Sequence, residues 1–284
     1  MLLFTHAAGA QDTPAFTGVL KRLHDRGSIV IGYSDSAFPF SFTRGGHPAG
    51  YTIDLCLGVV DELSRTVDRD LRVRYEPVAA DARVDAVKSG RVDLECSTTT
   101  ATSDRHRVVA FSPVIFVAGT KLLVPHDSKL RSAHDLNGKT VAVAAGTTNE
   151  AVMRSLVARA HLTTKIATAP DLDAALALVG NGEADALASD DVLLYGLIAR
   201  AQPAGTYRVI GDVLSYEPYG IMFAKDDPAM ADAVGRAFAH MASERDLLEY
   251  YDRWFRRPTP GVPALNLPMS VQLAEMFSLL GSGE

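Results

Sequence analysis

Arg91–Ser112 reads RVDLECSTTTATSDRHRVVAFS, and the organisation of the whole chain turns on it. Val92–Cys96 alternates as a short strand does, and three threonines, Thr98 to Thr100, follow at once. Ser103-Asp104 then predicts a helix start, a small oxygen-bearing cap with an acid in the first turn, and Arg105 lies in that turn. A strand end, three hydroxyls, unpaired backbone N–H groups and a guanidinium thus meet within a few residues. Such a corner binds anions, because a helix start offers free donors and arginine adds a planar fork able to hold a carboxylate through two bonds. The same residues also describe a threonine-rich turn with a solvated arginine, so the choice rests on the rest of the chain.

The chain has 284 residues, enough for two domains of ordinary size or one large one. Its 47% hydrophobic and 22% charged residues describe a globular protein with a real core. A net charge of −6 with no long basic run argues against nucleic acid as a partner. No stretch approaches the roughly 18 consecutive apolar residues that span a bilayer. Met1–Gln11, MLLFTHAAGAQ, looks like the tail of an export signal with a small-x-small site at Ala8-Gly9-Ala10, its basic region and most of its apolar part missing. Residues 1–15 are read as that remnant or as a disordered tail. Cys56 and Cys96 fit one disulfide in an exported protein or two separate buried thiols, and are too few for a structural zinc site.

Outward from the central stretch the pattern is regular. Phe16–Arg26 predicts an amphipathic helix closed by Gly27, Ser28–Tyr33 a buried strand, and Ser34–Phe40 the loop at its carboxyl end. Arg44–Pro48 is a turn between hairpin-like segments. Apolar positions from Ile53 to Val67 follow helical spacing, Leu71–Pro77 is a strand and Asp81–Ser89 a helix. Strand and helix in this rhythm predict a mostly parallel sheet covered by helices. After the strand Thr120–Val124 the pattern begins afresh. Lys139–Ala144, Lys165–Ala167 and Ala184–Ala188 are strands, with helices Asn149–Ala160 and Asp171–Val179 between them. Gly90-Arg-Val-Asp93 and Gly182-Glu-Ala-Asp185 echo one another, which predicts two similar α/β lobes. Tyr216–Lys225 contains a strand, followed by helices Asp227–His240 and Glu244–Trp254. With Lys121–Val124 and Tyr219–Ala224 as the two crossings, residues 121–218 form a lobe inserted into one made of 16–120 and 219–284. Two linking strands suit hinge closure around a ligand.

Three sites stand at carboxyl ends of strands, where ligands sit in open α/β sheets. They are Thr98–Thr100 with Arg105, Gly146-Thr147-Thr148 ahead of a helix, and Asp190. Gly146–Thr148 has no following lysine and lacks phosphate-loop spacing, and both it and Asp190 also fit ordinary helix caps. Two anion corners plus one carboxylate suit a small zwitterion.

Gly50-Tyr-Thr-Ile-Asp-Leu55 resembles the family-three signature of the solute-binding proteins of bacterial amino-acid importers. Asp93–Thr100, Arg105, Ala110–Ser112, Phe116–Thr120, Gly146–Thr148, Asp190-Asp191 and Tyr251–Phe255 resemble its glutamate/aspartate-binding branch, in order from Gly18 to Phe277. The resemblance implies a type II periplasmic binding protein fold of class α/β, two lobes joined by a two-strand hinge. It also implies a monomer that needs no cofactor or metal, closes on a polar, acidic amino acid and presents it to an ABC permease in the inner membrane. It carries over Thr100 and Arg105 to the α-carboxylate, Thr98 and Asp190 to the α-ammonium, and Thr147 and Thr148 to closure from the second lobe.

The chain also departs from that branch, with Ser34 in place of an arginine after the first strand, Leu172 in place of a histidine and Ala80 in place of a serine, while Arg83 is retained. Arg105 and Asp190 balance a zwitterion, so an acidic side chain needs one more cation, for which Arg83 is the candidate; with Arg83 pointing elsewhere the ligand should be neutral. An enzyme of the same fold, dehydratase-like, and a ligand-sensing module are the alternatives. The chain has no G-x-S-x-G or H-E-x-x-H motif, and Glu95 fits a cross-sheet pair as well as a catalytic role.

Overall fold

The structure is a computed structural model and describes residues 16–201, 203–258 and 264–282. The export-signal expectation falls on residues 1–15, outside the described residues. Two five-stranded sheets organise the chain. The first runs Arg72–Pro77, Ser28–Tyr33, Leu94–Glu95, Met222–Phe223, Ala110–Phe111 in spatial order. Ser28–Tyr33 pairs in parallel with both of its neighbours. The second runs Lys165–Ala169, Thr140–Ala144, Ala186–Asp190, Thr120–Pro125, Tyr207–Ile210; Thr120–Pro125 pairs antiparallel with both its neighbours and the other four strands run in one direction. Helices cover both sheets, as the alternation of periods predicts, and the helix Asp191–Arg200 and the last helix Val271–Gly281 are added to those read from the sequence.

The crossings differ from the expected ones. Thr120–Pro125 lies wholly inside the second sheet, and the run expected as one strand near Tyr219 is two. Glu217–Tyr219 pairs antiparallel with Phe116–Ala118, whereas Met222–Phe223 enters the first sheet. Gly119 and Gly220 separate the halves of the two runs, so each passes from the linking pair into a sheet. The linking pair is therefore Phe116–Ala118 with Glu217–Tyr219, a separate two-stranded sheet.

Aromatic side chains anchor this pair from the first lobe. Phe40 makes edge contacts with Tyr51, Phe116 and Tyr219 at 5.0–5.9 Å, and Phe116 stacks on Phe255 at 5.1 Å. Tyr51 donates its hydroxyl to the Ile115 carbonyl at 2.9 Å, so the first residues of the crossing are tied to the helix Tyr51–Thr66. Fully buried aromatic groups contribute about 1.5–3 kcal/mol each by burial alone, which fixes the base of the linking pair.

Cys56 and Cys96 form a disulfide, both side chains wholly buried, joining the helix Tyr51–Thr66 to the chain just after Leu94–Glu95. Of the two alternatives left open by the sequence, the bridge is the one found.

Candidate functional site

A cavity of about 270 Å³ lies between the two sheets' carboxyl ends. All eight residues singled out in the sequence line it: Ser34, Arg83, Thr98, Thr100 and Arg105 on one side, Thr147, Thr148 and Asp190 on the other. Ala80 and Leu172 line it too, so the three departures from the glutamate/aspartate branch share one cavity with the residues retained from it.

The two halves meet around its rim. Thr100 Oγ1 and Thr148 Oγ1 approach to 3.3 Å. A Cβ placed on Gly146, which has φ +71, would lie 2.6 Å from Asp81 Cα, and one on Gly196 would lie 2.7 Å from the Phe38 carbonyl oxygen. Both glycines admit backbone to backbone across the cleft, where a methyl group would hold the halves apart.

Arg105 is half-buried, and its guanidinium is fixed by a 2.9 Å bond from Nη1 to the Thr100 carbonyl. Burial, and then the nearby Arg83 guanidinium, push its pKa below the ordinary arginine value. Both effects disfavour the charge and would be relieved by an anion. The helix start expected at Ser103 is a single turn, Ser103–His106, capped by Thr102, whose hydroxyl accepts the Arg105 N–H at 3.2 Å. That donor is taken, so the anion-binding character of the corner comes from the guanidinium. Thr147 likewise caps its own helix, accepting from Glu150 N at 3.3 Å and donating to the Ala144 carbonyl at 2.7 Å. Ser34 is nearly buried and its hydroxyl accepts from Ser36 N at 3.4 Å.

Asp190 occupies a helix N-cap position but makes no side-chain cap bond. Its carboxylate accepts from Asn149 Nδ2 at 2.7 Å and from the Tyr219 hydroxyl, while the neighbouring Asp191 serves the helix start through Val192 N at 2.8 Å. Burial pushes the Asp190 pKa up to about 7, against the lowering effect of Tyr219 and Asn149; Glu217 and Asp191 push it further up. A buried carboxylate raised in this way is a place where a cation would be welcome.

This shift has a consequence for folding. A carboxyl whose folded pKa exceeds its unfolded value near 3.9 takes its proton first in the folded state. Its stabilising contribution is complete below about pH 4 and is lost as the pH rises through 7. Between pH 5.5 and 7 the ligand-free protein should lose on the order of 2 kcal/mol from this group. Thermal unfolding at pH 5.5, 7 and 8 measures it: the slope of the wild type should be shallower in Asp190→Asn, and identical slopes would show that Asp190 does not titrate in this range.

Arg83 is 8% exposed and faces the buried Glu95, with Nε 3.5 Å from Oε1. Thr99 Oγ1 donates to Glu95 Oε2 at 2.7 Å and accepts from Arg83 Nη1 at 3.4 Å. Burial raises the Glu95 pKa while Arg83 and Thr99 lower it. Glu95 is wholly buried and does not line the cavity, so of the two readings left open it is the structural partner. Among the described residues no group of three or more His, Cys, Asp or Glu is placed to hold a metal ion, and no helix is long and apolar enough to cross a membrane.

Sequence reasoning missed Asn149, Tyr219 and Glu217. Glu217, 2% exposed, accepts from Thr100 Oγ1 and Thr148 Oγ1 at 2.7 Å each and from Ser215. Ser215 bonds Thr120 at 2.7 Å, and Thr120 accepts from Asn149 at 2.7 Å, so an unbroken chain of hydrogen bonds, through the half-buried Ser215, links Glu217 to Asp190. The only trace in the sequence is an acid inside an otherwise apolar run, Glu217-Pro-Tyr-Gly-Ile-Met-Phe.

Comparison with known proteins agrees with this architecture. The family model for bacterial extracellular solute-binding proteins, family 3, matches residues 29–257. The L-glutamate/L-aspartate-binding protein of Pseudomonas aeruginosa is 35% identical over 266 residues, covering 92% of this chain and 88% of that one. The glutamate/aspartate import solute-binding protein of Escherichia coli is 30% identical over 269 residues, covering 94% and 88%. Among solved structures, an ancestral arginine-binding protein bound to glutamine superposes with TM-score 0.74 at 26% identity, covering 82% of this chain and 99% of that one. An ancestral amino acid-binding protein described as a precursor of cyclohexadienyl dehydratase superposes with TM-score 0.72 at 27% identity, covering 84% and 99%.

Proposed function

The chain belongs to the bacterial extracellular solute-binding proteins, family 3, and from that premise we propose that it is the periplasmic substrate-binding component of an amino-acid ABC transporter. It works as a monomer, takes a polar, acidic amino acid of the glutamate/aspartate kind, and delivers it to a permease in the inner membrane. The described residues up to 115 and from 220 onward form one lobe and those of 120–216 the other, and the lobes close about the linking pair Phe116–Ala118 with Glu217–Tyr219. The observation that carries the reading is the cavity itself, in which Arg105 and Asp190 come from opposite halves. Arg105 takes the α-carboxylate, Asp190 and Thr98 the α-ammonium, and Thr147 and Thr148 shut the second lobe over the ligand. The relatives named for glutamate and aspartate supply the ligand class.

A thermal-shift screen against the twenty amino acids tests it, since a ligand that binds only the folded form raises the melting temperature. L-Glutamate or L-aspartate should give the largest rise; no rise with any amino acid would remove the proposal.

Arg83 is the residue for an acidic side chain, shared between that group and Glu95. Arg83→Ala should therefore weaken glutamate far more than glutamine in titration calorimetry. Equal weakening would assign Arg83 to Glu95 alone. An enzyme of this fold is the second reading, favoured by the likeness to the dehydratase precursor. It is separated by incubating the protein with its ligand, which a binding protein returns unchanged.

A further inference from the structure

Glu217 does not line the cavity, yet it fixes the chemistry of two residues that do. It stands on the linking strand Glu217–Tyr219, and its Oε2 accepts from Thr100 Oγ1 on the first lobe and Thr148 Oγ1 on the second, both at 2.7 Å. Oε1 is engaged by the Ser215 hydroxyl. A hydroxyl has one proton and two lone pairs, and an ionised carboxylate only accepts. Both threonine protons therefore point at Glu217, away from the cavity. What Thr100 and Thr148 offer a ligand is lone pairs. These hydroxyls cannot donate to a carboxylate, but they can accept from an ammonium, which has three donors and no acceptor. Asp190 and Thr98 line the same cavity, and the three ammonium donors are shared among these acceptors.

We propose that Glu217 is a positioning residue that holds the Thr100 and Thr148 hydroxyls as acceptors for the ligand's ammonium group, and that it does so only with the lobes together, because one carboxylate oxygen serves a threonine from each. This rests on the reading of the cavity as an amino-acid site. It sends the Thr100 hydroxyl to the amino end of the ligand and leaves the carboxylate to Arg105. Glu217 thereby selects for an α-amine without touching it, and closure and amine recognition become one event at the hinge.

The test is a ratio of affinities. L-Glutamate and glutarate, which lacks only the amine and its stereocentre, are titrated into the wild type and into Glu217→Leu. Leucine fills a similar volume and leaves both hydroxyls free to turn; replacing a buried charge by an apolar residue of like size is commonly tolerated by the fold. Glutamate should weaken roughly 10–100-fold, as for the loss of hydrogen bonds to a charged group, while glutarate stays within about threefold. Glu217→Asp, which keeps the charge but withdraws it from both hydroxyls, covers the case in which the leucine variant does not melt cooperatively; its glutamate-to-glutarate ratio should fall in the same direction. Equal weakening of both ligands would make Glu217 a structural hinge residue and overturn the proposal, as would an unchanged ratio. If the wild type binds neither compound, it is the choice of an acidic ligand in the reading above that fails.

Discussion

Arg105→Ala should cost about 3–5 kcal/mol of amino-acid binding, the usual consequence of removing one partner from a desolvated ion pair. That corresponds to roughly two to four decades in the dissociation constant. The reason is local. The guanidinium is held in place by the Thr100 carbonyl and stripped of much of its water before any ligand arrives, and Arg83 adds repulsion. An incoming carboxylate replaces lost solvation and screens that repulsion, so the interaction gains more than an exposed pair would. Alanine leaves the ligand's carboxylate in the same confined space with no cation opposite. The fold should survive, because the side chain is half-buried and its bond to Thr100 is a single one. Titration calorimetry on the variant checks the loss. Near-normal affinity with an intact melting transition would mean that the carboxylate is held elsewhere.

Removing the disulfide is the second large effect, on stability. Cys56 and Cys96 are 40 residues apart, and closing a loop of that length in the unfolded chain is worth about 4 kcal/mol in the chain-entropy description. The bridge joins the helix that carries Tyr51 to the chain leading into Thr98–Thr100, so it ties the aromatic base of the hinge to the threonines of the cavity. Cys56→Ala/Cys96→Ala should lower the melting temperature by roughly 5–10 °C. Both sulfurs are wholly buried, so reductant should act on the native protein only through unfolding. A free-thiol count on unreduced, unfolded protein should find none, and two free thiols would refute the bridge.

Local chemistry was readable from the residues alone. Gly27 ends the first helix in a left-handed conformation, Asp227 caps the helix Pro228–Ser243, the strand Ser28–Tyr33 has the expected bounds, and Thr140–Ala144 begins one residue after the expected Lys139. Asp190 was legible as a strand-end carboxylate, and its freedom from capping duty follows from Asp191 doing that work. The contacts that set the cavity's charge were not legible. Arg83 reaches Glu95 across two elements, and Glu217 meets Thr148 from 69 residues away. Such pairs depend on which strand lies beside which, a property of the folded topology that neither period nor propensity encodes. The crossing strands were misplaced for a related reason. A strand that leaves a linking pair and enters a sheet keeps one alternation throughout, and only the glycines at 119 and 220 mark the change.

The crystal structure of the protein grown with L-glutamate examines the arrangement most directly. One amino acid is expected in the cavity between the lobes, its α-carboxylate paired with the Arg105 guanidinium and its ammonium within hydrogen-bonding distance of Asp190. A ligand lying the other way round, or bound outside the cleft shared by Arg105 and Asp190, would contradict it.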